Sequence, residues 1–585
     1  MKNLLTDIQE LLEKSFKKCE YEVNGGINVL PCNLLNMGDY QCNDALKITK
    51  NYGKSPREIA QDIIANIEKN EVIASAEIAG PGFINIKVNN DYLCKYVQNY
   101  MHSYYKNMDI DNKNIIIDYG GANVAKPLHV GHLRTAIIGE SIKRICKFVG
   151  NNTLGDVHLG DWGLQMGMVI SELHRRMPNL PYFDPNYTGE YPTTSPISIE
   201  DLATLYPEAS AKAKSDENLM NEAKQATLEL QNGRRGYMAL WTHIMNISKV
   251  DLKKNYDNLN VNFDLWLGES DSKKYYEEII PYIEKSGLSR ISEGALVVDV
   301  AEPDDKIEVP PFILKKTDGA VLYSTTDLAT IVQREKEYSA DRIIYVVDNR
   351  QEMHFKQLFR CVRKTHLLKT DMQLDFVGFG TMNGKDGKPY KTRDGGVMQL
   401  NMLIEDVKSK ALEKVIDAKS EDASYSKEEM KTISDTVAIS ALKFADLSIF
   451  RTKDYIFDID KFCSFEGKTG PYLLYTITRA KSILRKAGDE ESDCFDMNYI
   501  PRELALMLID FKEQVKKAYL DLAPSYLCDY VYAVANSFNS FYNSCNIINE
   551  KDQCKKKSWL NLTKYTLNIM EKVLDLLAIK TLDKM

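Results

Sequence analysis

Two histidines three residues apart, His129 and His132, lie in the run Asp118-Tyr-Gly-Gly-Ala-Asn-Val-Ala-Lys-Pro-Leu-His-Val-Gly-His-Leu-Arg-Thr135, directly after the apolar segment Ile115-Ile116-Ile117. Imidazoles at i and i+3 on a first helical turn share one face. There they can donate hydrogen bonds to phosphate oxygens as charge builds at a phosphorus under attack, and one such donor changes a rate by about 10²–10³. Gly131 between them lets a flat base approach the backbone. The spacing alone leaves two other readings open. One is half of a zinc site, although no neighbouring Cys or His completes a ligand set; the other is an ordinary helix start with incidental histidines. A second run, Met382-Asn-Gly-Lys-Asp-Gly-Lys-Pro-Tyr-Lys-Thr-Arg-Asp-Gly-Gly396, is rich in glycine and carries the cations Lys385, Lys388, Lys391 and Arg393. Such a loop can close over a triphosphate and stabilise departing pyrophosphate. Taken alone it is equally a solvated surface turn.

Certain elements must hold these residues. An apolar strand leading through a Gly-rich turn into the helix-compatible Leu133 to Ile142 is the layout of a nucleotide site at the end of a parallel strand. The free N–H groups of the helix start then face an anion. Extended runs at Ile115–Asp118, Ala295–Val300, Arg342–Val347 and Leu374–Gly378 alternate with helical patterns, which predicts a parallel, doubly wound, Rossmann-like sheet in an α/β domain. A helical stretch from about Ile199 to Leu259 interrupts it. Upstream, Leu4, Leu5, Ile8, Leu11 and Leu12 are spaced as an amphipathic helix, read as structure rather than a signal peptide. Extended segments Glu71–Ala76 and Phe83–Val88 follow, making the first part α+β. From about Leu400 onward apolar residues recur at three- and four-residue spacing, the pattern of an α-helical bundle. The expected organisation is 1–105, an N-terminal α+β domain; 106–385, the sheet domain with a helical insertion at about 195–260; 386–465, the cationic loop and a helical stem; and 466–585, the helical bundle.

A chain of 585 residues is too long for one core. Apolar content of 44% and charged content of 27% are those of a globular protein. No apolar run approaches the roughly 18 residues needed to cross a bilayer. A net charge of −8 argues against a wholly basic nucleic-acid coat, while leaving room for a local patch. Eleven scattered cysteines with no Cys-x-x-Cys pair predict neither a disulfide framework nor a zinc–thiolate site, and a reducing cytoplasm fits them. All eight histidines lie between His102 and His366, which places the chemistry in the middle of the chain.

The pairing of Asn123-Val-Ala-Lys-Pro-Leu-His-Val-Gly-His-Leu-Arg134 with Pro389-Tyr-Lys-Thr-Arg-Asp-Gly395 resembles the two signature motifs of class I aminoacyl-tRNA synthetases, in the form found in the arginyl family. His158-Leu-Gly-Asp-Trp-Gly163, Tyr323-Ser-Thr-Thr-Asp327, Tyr345-Val-Val-Asp-Asn-Arg-Gln351 and Gly470-Pro-Tyr-Leu-Leu-Tyr475 resemble further arginyl motifs in the same order, as do Ala79-Gly-Pro-Gly-Phe-Ile-Asn85 and the terminal Met585. The resemblance covers essentially the whole chain. It implies ATP-dependent formation of arginyl-adenylate, with Mg²⁺, and transfer of arginine to the 3′ end of tRNA(Arg), in a cytoplasmic monomer. His129, His132, Lys126, Lys391 and Arg393 are then catalytic; His129, Gly131, His132, His354 and Lys391 lie at ATP; and Asn123 and Gln351 hold the α-amino and carboxylate groups of arginine. Two departures stand out. Class I enzymes usually carry a second lysine late in the second signature, absent from Thr392-Arg-Asp-Gly395; the arginyl family is thought to replace it with a lysine upstream of the first, where Lys126 stands. In the helical domain, Lys468 and Leu474 replace the family's usual Asn and Gln.

Chemistry narrows what an arginine pocket must contain. A guanidinium is always charged, planar and forked, so a selective pocket needs carboxylates in paired hydrogen bonds and an aromatic face. Asp118, Asp327 and Tyr323 are the expected arginine contacts, Tyr323 and Asp327 sharing an i, i+4 spacing. Without the family, Asp118 capping a turn and Tyr323 as core are the competing readings. RNA recognition favours unpaired bases stacked on aromatics beside cations. The resemblance points to Tyr475, Arg479 and Met585 in the helical domain, and to Phe83 with Asn85 on one strand face in the N-terminal domain. Two other functions share parts of the pattern. A small-molecule nucleotidylyltransferase is generally shorter and lacks the bundle, and a synthetase-like RNA-binding module predicts eroded signatures.

Overall fold

The computed structural model describes residues 3–32, 37–106, 108, 110–317, 321–388, 390, 398–418, 425–488 and 494–585. The first helix, Leu4–Lys18, is capped by the Asn3 side chain accepting from the Leu5 N–H, and buries Leu4, Ile8, Leu12 and Phe16 at four-residue spacing. It packs with an antiparallel sheet of strands β1 (Val29–Pro31), β2 (Tyr40–Cys42), β3 (Ile73–Ala79) and β4 (Phe83–Val88), in the order β1-β2-β4-β3.

The central domain is built on four parallel strands, β5 (Asn114–Asp118), β6 (Asn152–Asp156), β10 (Arg342–Asp348) and β11 (Gln373–Phe379), in the order β11-β10-β5-β6. Ile115, Ile116 and Ile117 are all buried, as expected for a β-branched run covered on both faces. From β5 the chain turns first to one side, at β6, and later to the other, at β10. The crevice beyond the carboxyl ends of β5 and β10 is therefore the topological switch point, where open α/β sheets bind ligands. The predicted insertion is three helices, Ile199–Ser215, Glu217–Gln231 and Arg235–Asn258. The chain then returns beside β6 through parallel bridges Asp156–Leu265 and Leu159–Gly268.

One predicted strand does not join this sheet. Ala295–Val298 is β8, paired antiparallel with β7 (Arg290–Ser292) and β9 (Phe312–Lys315) in a separate three-stranded sheet. The two-residue link from β7 to β8 permits only a hairpin, whereas a parallel strand needs a crossover. Beyond β11, the two-residue strand β12 (Met382–Asn383) pairs in parallel with β13 (Tyr455–Ile456).

The remainder is helical, with stem helices Leu400–Ala418 and Lys427–Leu447 and a bundle including Gly470–Ala487, Ser525–Ser544 and Gln553–Leu576. The bundle returns to both other parts of the molecule. Arg502 donates to Asp39 and the Val88 carbonyl of the N-terminal domain. Lys443, fully buried, donates at 2.7 Å to the carbonyls of Leu259 and Ala578. Nine cysteines are free, so there is no disulfide framework among the described residues; Cys494 and Cys554 form a single pair. They are 60 residues apart, and only the docking of the last helix brings them together. Among the described residues no helix is long and apolar enough to cross a membrane.

Candidate active site

The histidine motif occupies the turn after β5. Gly120, at φ +97°, and Gly121, at φ +56°, turn the chain, and the helix Gly131–Phe148 starts within the motif. Thr135 on that helix accepts from the Gly120 N–H and donates to the Val346 carbonyl of β10, pinning the helix across the switch point. The two imidazoles lie against each other, ring centroids 3.9 Å apart. Nδ1 of His132 accepts from the His129 N–H and Nδ1 of His129 accepts from the Gly131 N–H, both at 3.0 Å. A side chain at 131 would collide with the His129 ring, its Cβ 2.7 Å from Cε1, so glycine is what allows the ring to fold back.

Burial and the neighbouring His129 push the His132 imidazole down to about 3. Burial, with the charges of Lys126 and Arg350, also lowers His129. Both rings are therefore neutral at pH 7, and with each Nδ1 accepting, each carries its proton on Nε2. The pair offers two neutral N–H donors at a helix start. The Lys126 ammonium lies over the Tyr206 ring of the insertion, 4.6 Å from its centroid.

Beside the histidines opens a cavity of about 680 Å³, lined by Asn123 after β5, by Arg350, Gln351 and His354 after β10, by Tyr323 and Asp327 on the helix Tyr323–Tyr338, and by Glu269. Asn123 is seated by the motif from His158 to Gly163. The Val124 N–H bonds to the Gly160 carbonyl, and a Cβ at Gly160 would sit 2.4 Å from the Asn123 amide oxygen. Asp327 Oδ2 lies 2.7 Å from His354 Nε2, and the Tyr323 ring is 5.0 Å from that of His354. Tyr323 is 61% exposed, so it is cavity wall rather than core. Four of the five residues expected to contact arginine thus come together.

The fifth does not. Asp118 is buried, and its carboxylate accepts at 2.6 Å from Arg334, whose same nitrogen reaches Asp156 at 2.7 Å. A carboxylate already paired with an internal guanidinium is not available to a ligand's, and Asp118 is absent from the cavity wall. Glu269, which sequence reasoning missed, lines the cavity instead. Burial, then the nearby charge of Asp327, pushes its carboxyl up to about 7. It heads the short turn Glu269–Ser272 just after the insertion. The only sequence trace of it is an acid following Gly268 at the end of an extended run.

Lys391 and Arg393 lie outside the described residues. The chain just after them is seated on the first motif: the Val130 N–H donates to the Met398 carbonyl and the Leu400 N–H to the Leu128 carbonyl.

The RNA candidates separate. Tyr475, Arg479 and Met585 share the wall of a second cavity, of about 760 Å³, with Lys486, Tyr542 and Lys584. The Arg479 guanidinium lies 4.7 Å from the ring centroids of both Tyr475 and Tyr542. Leu474 is fully buried and Lys468 pairs with Asp529, so neither departing residue faces this cavity. In the N-terminal sheet Phe83 is half-buried, whereas Asn85 is 4% exposed with its amide oxygen accepting from Gln41. Strand alternation puts Phe83 and Asn85 on one face, but the Asn85 oxygen is taken by Gln41, its neighbour on the adjacent strand.

A mostly parallel sheet with the histidine motif at its switch point, a helical insertion and an appended helical bundle define a class I aminoacyl-tRNA synthetase. Residues 96–459 match the family model described as tRNA synthetases class I (R), catalytic domain; 473–585 match the DALR anticodon binding domain; and 3–88 match the arginyl tRNA synthetase N terminal domain. The chain is 51% identical to the arginine–tRNA ligase of Alkaliphilus oremlandii and 48% identical to that of Agathobacter rectalis, each over the full length of both chains. Its fold superposes on the arginyl-tRNA synthetase of Plasmodium falciparum with a TM-score of 0.80 at 26% identity, covering all of both chains. The chain belongs to the arginyl-tRNA synthetase family.

Proposed function

We propose the following division of labour for an arginine–tRNA ligase that activates L-arginine with ATP and transfers it to tRNA(Arg). Glu269 and Asp327 take the guanidinium, with Tyr323 as its aromatic face, while Asn123 and Gln351 orient the α-amino and carboxylate groups. The arginine carboxylate attacks the α-phosphorus of ATP, the bond to the β-phosphate oxygen breaks, and pyrophosphate leaves. The Nε2–H groups of His129 and His132 donate to phosphate oxygens as charge develops, Gly131 leaves room for adenine, and His354 sits at the edge shared by the two substrates. Lys126, Lys391 and Arg393 supply cations to the triphosphate. The terminal ribose hydroxyl of tRNA then attacks the adenylate carbonyl and AMP leaves. No covalent enzyme intermediate is needed, so catalysis is positioning and charge stabilisation.

The observation that carries this reading is a single cavity that joins two carboxylates, Glu269 and Asp327, to polar groups from both sides of the switch point, beside two neutral histidine donors. Mg²⁺ belongs with the ATP phosphates rather than in a resident site. Among the described residues the one convergent acid–histidine cluster, Asp118, Asp156 and His158, is bridged by Arg334 and does not fit a cation. Phe83, with Gln41 beside it, serves the tRNA elbow, and Asn85 supports them from beneath. Tyr475, Arg479 and Met585 take the anticodon. The enzyme acts as a cytoplasmic monomer, of domains 1–105, 106–385, 386–465 and 466–585. The test is His132→Ala: arginine-dependent pyrophosphate exchange, measured with tRNA present, falls by about 10²-fold with little change in arginine affinity. Unchanged exchange contradicts the role.

A further inference from the structure

Two surfaces face tRNA in the reading above: Phe83 on β4 of the N-terminal domain, and the bundle cavity of Tyr475, Arg479 and Met585. One side chain of the bundle holds the first domain in place. Arg502 is the first residue of the helix Arg502–Ile509, where the helix dipole opposes a cation, so partners outside that helix must account for it. Every arm of its guanidinium reaches the N-terminal domain or the start of the helix Asn90–Met101 that follows it. Nε donates to Asp39 Oδ1 at 2.6 Å, Nη2 to Asp39 Oδ2 and to the Val88 carbonyl, each at 2.5 Å, and Nη1 to Asn90 Oδ1 at 2.6 Å. The Asp39 side chain is 1% exposed, and its Oδ2 also accepts from the Val88 N–H at 2.7 Å. Val88 ends the strand that Phe83 begins. On the bundle side, the Met507 carbonyl of the Arg502 helix accepts from the Tyr530 hydroxyl at 2.8 Å. Tyr530 shares the helix Ser525–Ser544 with Tyr542 of the cavity wall and with Asn539, which accepts from Arg479 at 2.6 Å. A short series of bonded elements therefore runs from Phe83 to Arg479, and Arg502 is its joint between domains.

We propose that Arg502 is a positioning residue for tRNA binding: it fixes β4, and so Phe83, relative to the bundle cavity, so that one tRNA meets both surfaces at once. When two contacts are joined, the second forms intramolecularly, at an effective concentration that falls if the joint is loosened. The planar fork is what the joint requires, since it meets both oxygens of one buried carboxylate in parallel. A lysine keeps the charge and loses the fork. The inference rests on the reading of Phe83 and Arg479 as tRNA contacts.

The test compares Arg502→Lys, Asn90→Ala and Phe83→Ala in the full-length enzyme, titrated with whole tRNA(Arg) and with an RNA comprising its anticodon stem and loop alone. Arg502→Lys weakens the Kd for whole tRNA by about tenfold and leaves the Kd for the stem-loop at its wild-type value. The KM for arginine is unchanged, since Arg502 lines neither cavity. Asn90 is exposed, and Asn90→Ala removes one bond to the guanidinium; it shows the same selective loss to a smaller extent and stands in if Arg502→Lys does not fold. In a Phe83→Ala background, Arg502→Lys weakens whole-tRNA binding no further, because the contact it positions is gone. Wild-type affinity for whole tRNA in both joint variants overturns the inference, as does an equal loss for the stem-loop or a full additive loss in the double variant. If Phe83→Ala alone binds whole tRNA as the wild type does, the elbow reading fails and the inference with it; if that variant is weakened and the other two are not, only the role of Arg502 is lost.

Discussion

A single nitrogen of Arg334 lies 2.6 Å from Asp118 and 2.7 Å from Asp156, joining the carboxyl ends of the neighbouring strands β5 and β6. His158 is part of the same cluster, its Nδ1 3.5 Å from Asp156. Burial opposes its charge, but the close pairing with Asp156 and the charge of Asp118 outweigh it and push the imidazole up to about 9. The cluster lies behind the motif from His158 to Gly163 that meets Asn123, and none of its members lines the cavity.

Removing the guanidinium leaves buried Asp118 without its cation and Asp156 with His158 alone. Arg334→Met should cost about 3–5 kcal/mol of stability, the range for breaking a buried pair, read by chemical denaturation. Asp118→Asn, by contrast, should leave the KM for arginine near wild type. A KM raised tenfold or more would return Asp118 to the arginine site.

The His158 imidazole adds a pH signature. Its folded value lies above that of a free histidine, so its stabilising contribution is complete below about 6.5 and is lost as pH rises through about 9. Denaturation curves of the wild type and His158→Gln should converge above that pH. Parallel curves from pH 6 to 10 would contradict the assignment.

Glu269 makes arginine binding depend on pH with a definite sign. With its carboxyl pushed up to about 7 by burial, a guanidinium must displace a proton to pair with it. Arginine affinity should rise from pH 6 to pH 8, with proton release visible in calorimetry across buffers of different ionisation enthalpy. Glu269→Gln should abolish the proton release and weaken arginine binding by about 10–100-fold, the equivalent of one charge-assisted bond of about 1.5–3 kcal/mol.

How much of this was legible in sequence depended on distance along the chain. The histidine pair, its strand and its helix are contiguous, so their place followed from the parallel-sheet pattern, whereas the convergence of Tyr323, Asp327, Gln351 and His354 with them was implied only by the family resemblance. Arg334 was invisible as the partner of Asp118 because 216 residues separate them, and a carboxylate at a strand end looks the same whether it awaits a ligand or an internal cation. Glu269 was missed because its element is a four-residue turn without periodicity. Ala295–Val298 was assigned to the wrong sheet because a short apolar run does not record which neighbour it pairs with. Alternation put Phe83 and Asn85 on one face, but carried no information about Gln41 on the adjacent strand.

The second cavity predicts a separable defect. Arg479→Ala removes the cation stacked between Tyr475 and Tyr542, and with stacking worth about 1–3 kcal/mol per base, the Kd for tRNA(Arg) should weaken by about tenfold, with the KM for ATP unchanged. Wild-type tRNA binding in that variant would remove this surface from the tRNA interface.

The most direct test of the central claim is pyrophosphate exchange into ATP, with tRNA(Arg) present, using arginine, lysine and citrulline in turn. Citrulline keeps the shape of arginine without its charge, and lysine keeps the charge without the fork. A cavity that pairs Glu269 and Asp327 with a guanidinium should support exchange with arginine and reject both others by about 10⁴-fold or more. Exchange with citrulline at a comparable rate, or none with arginine, would contradict the account.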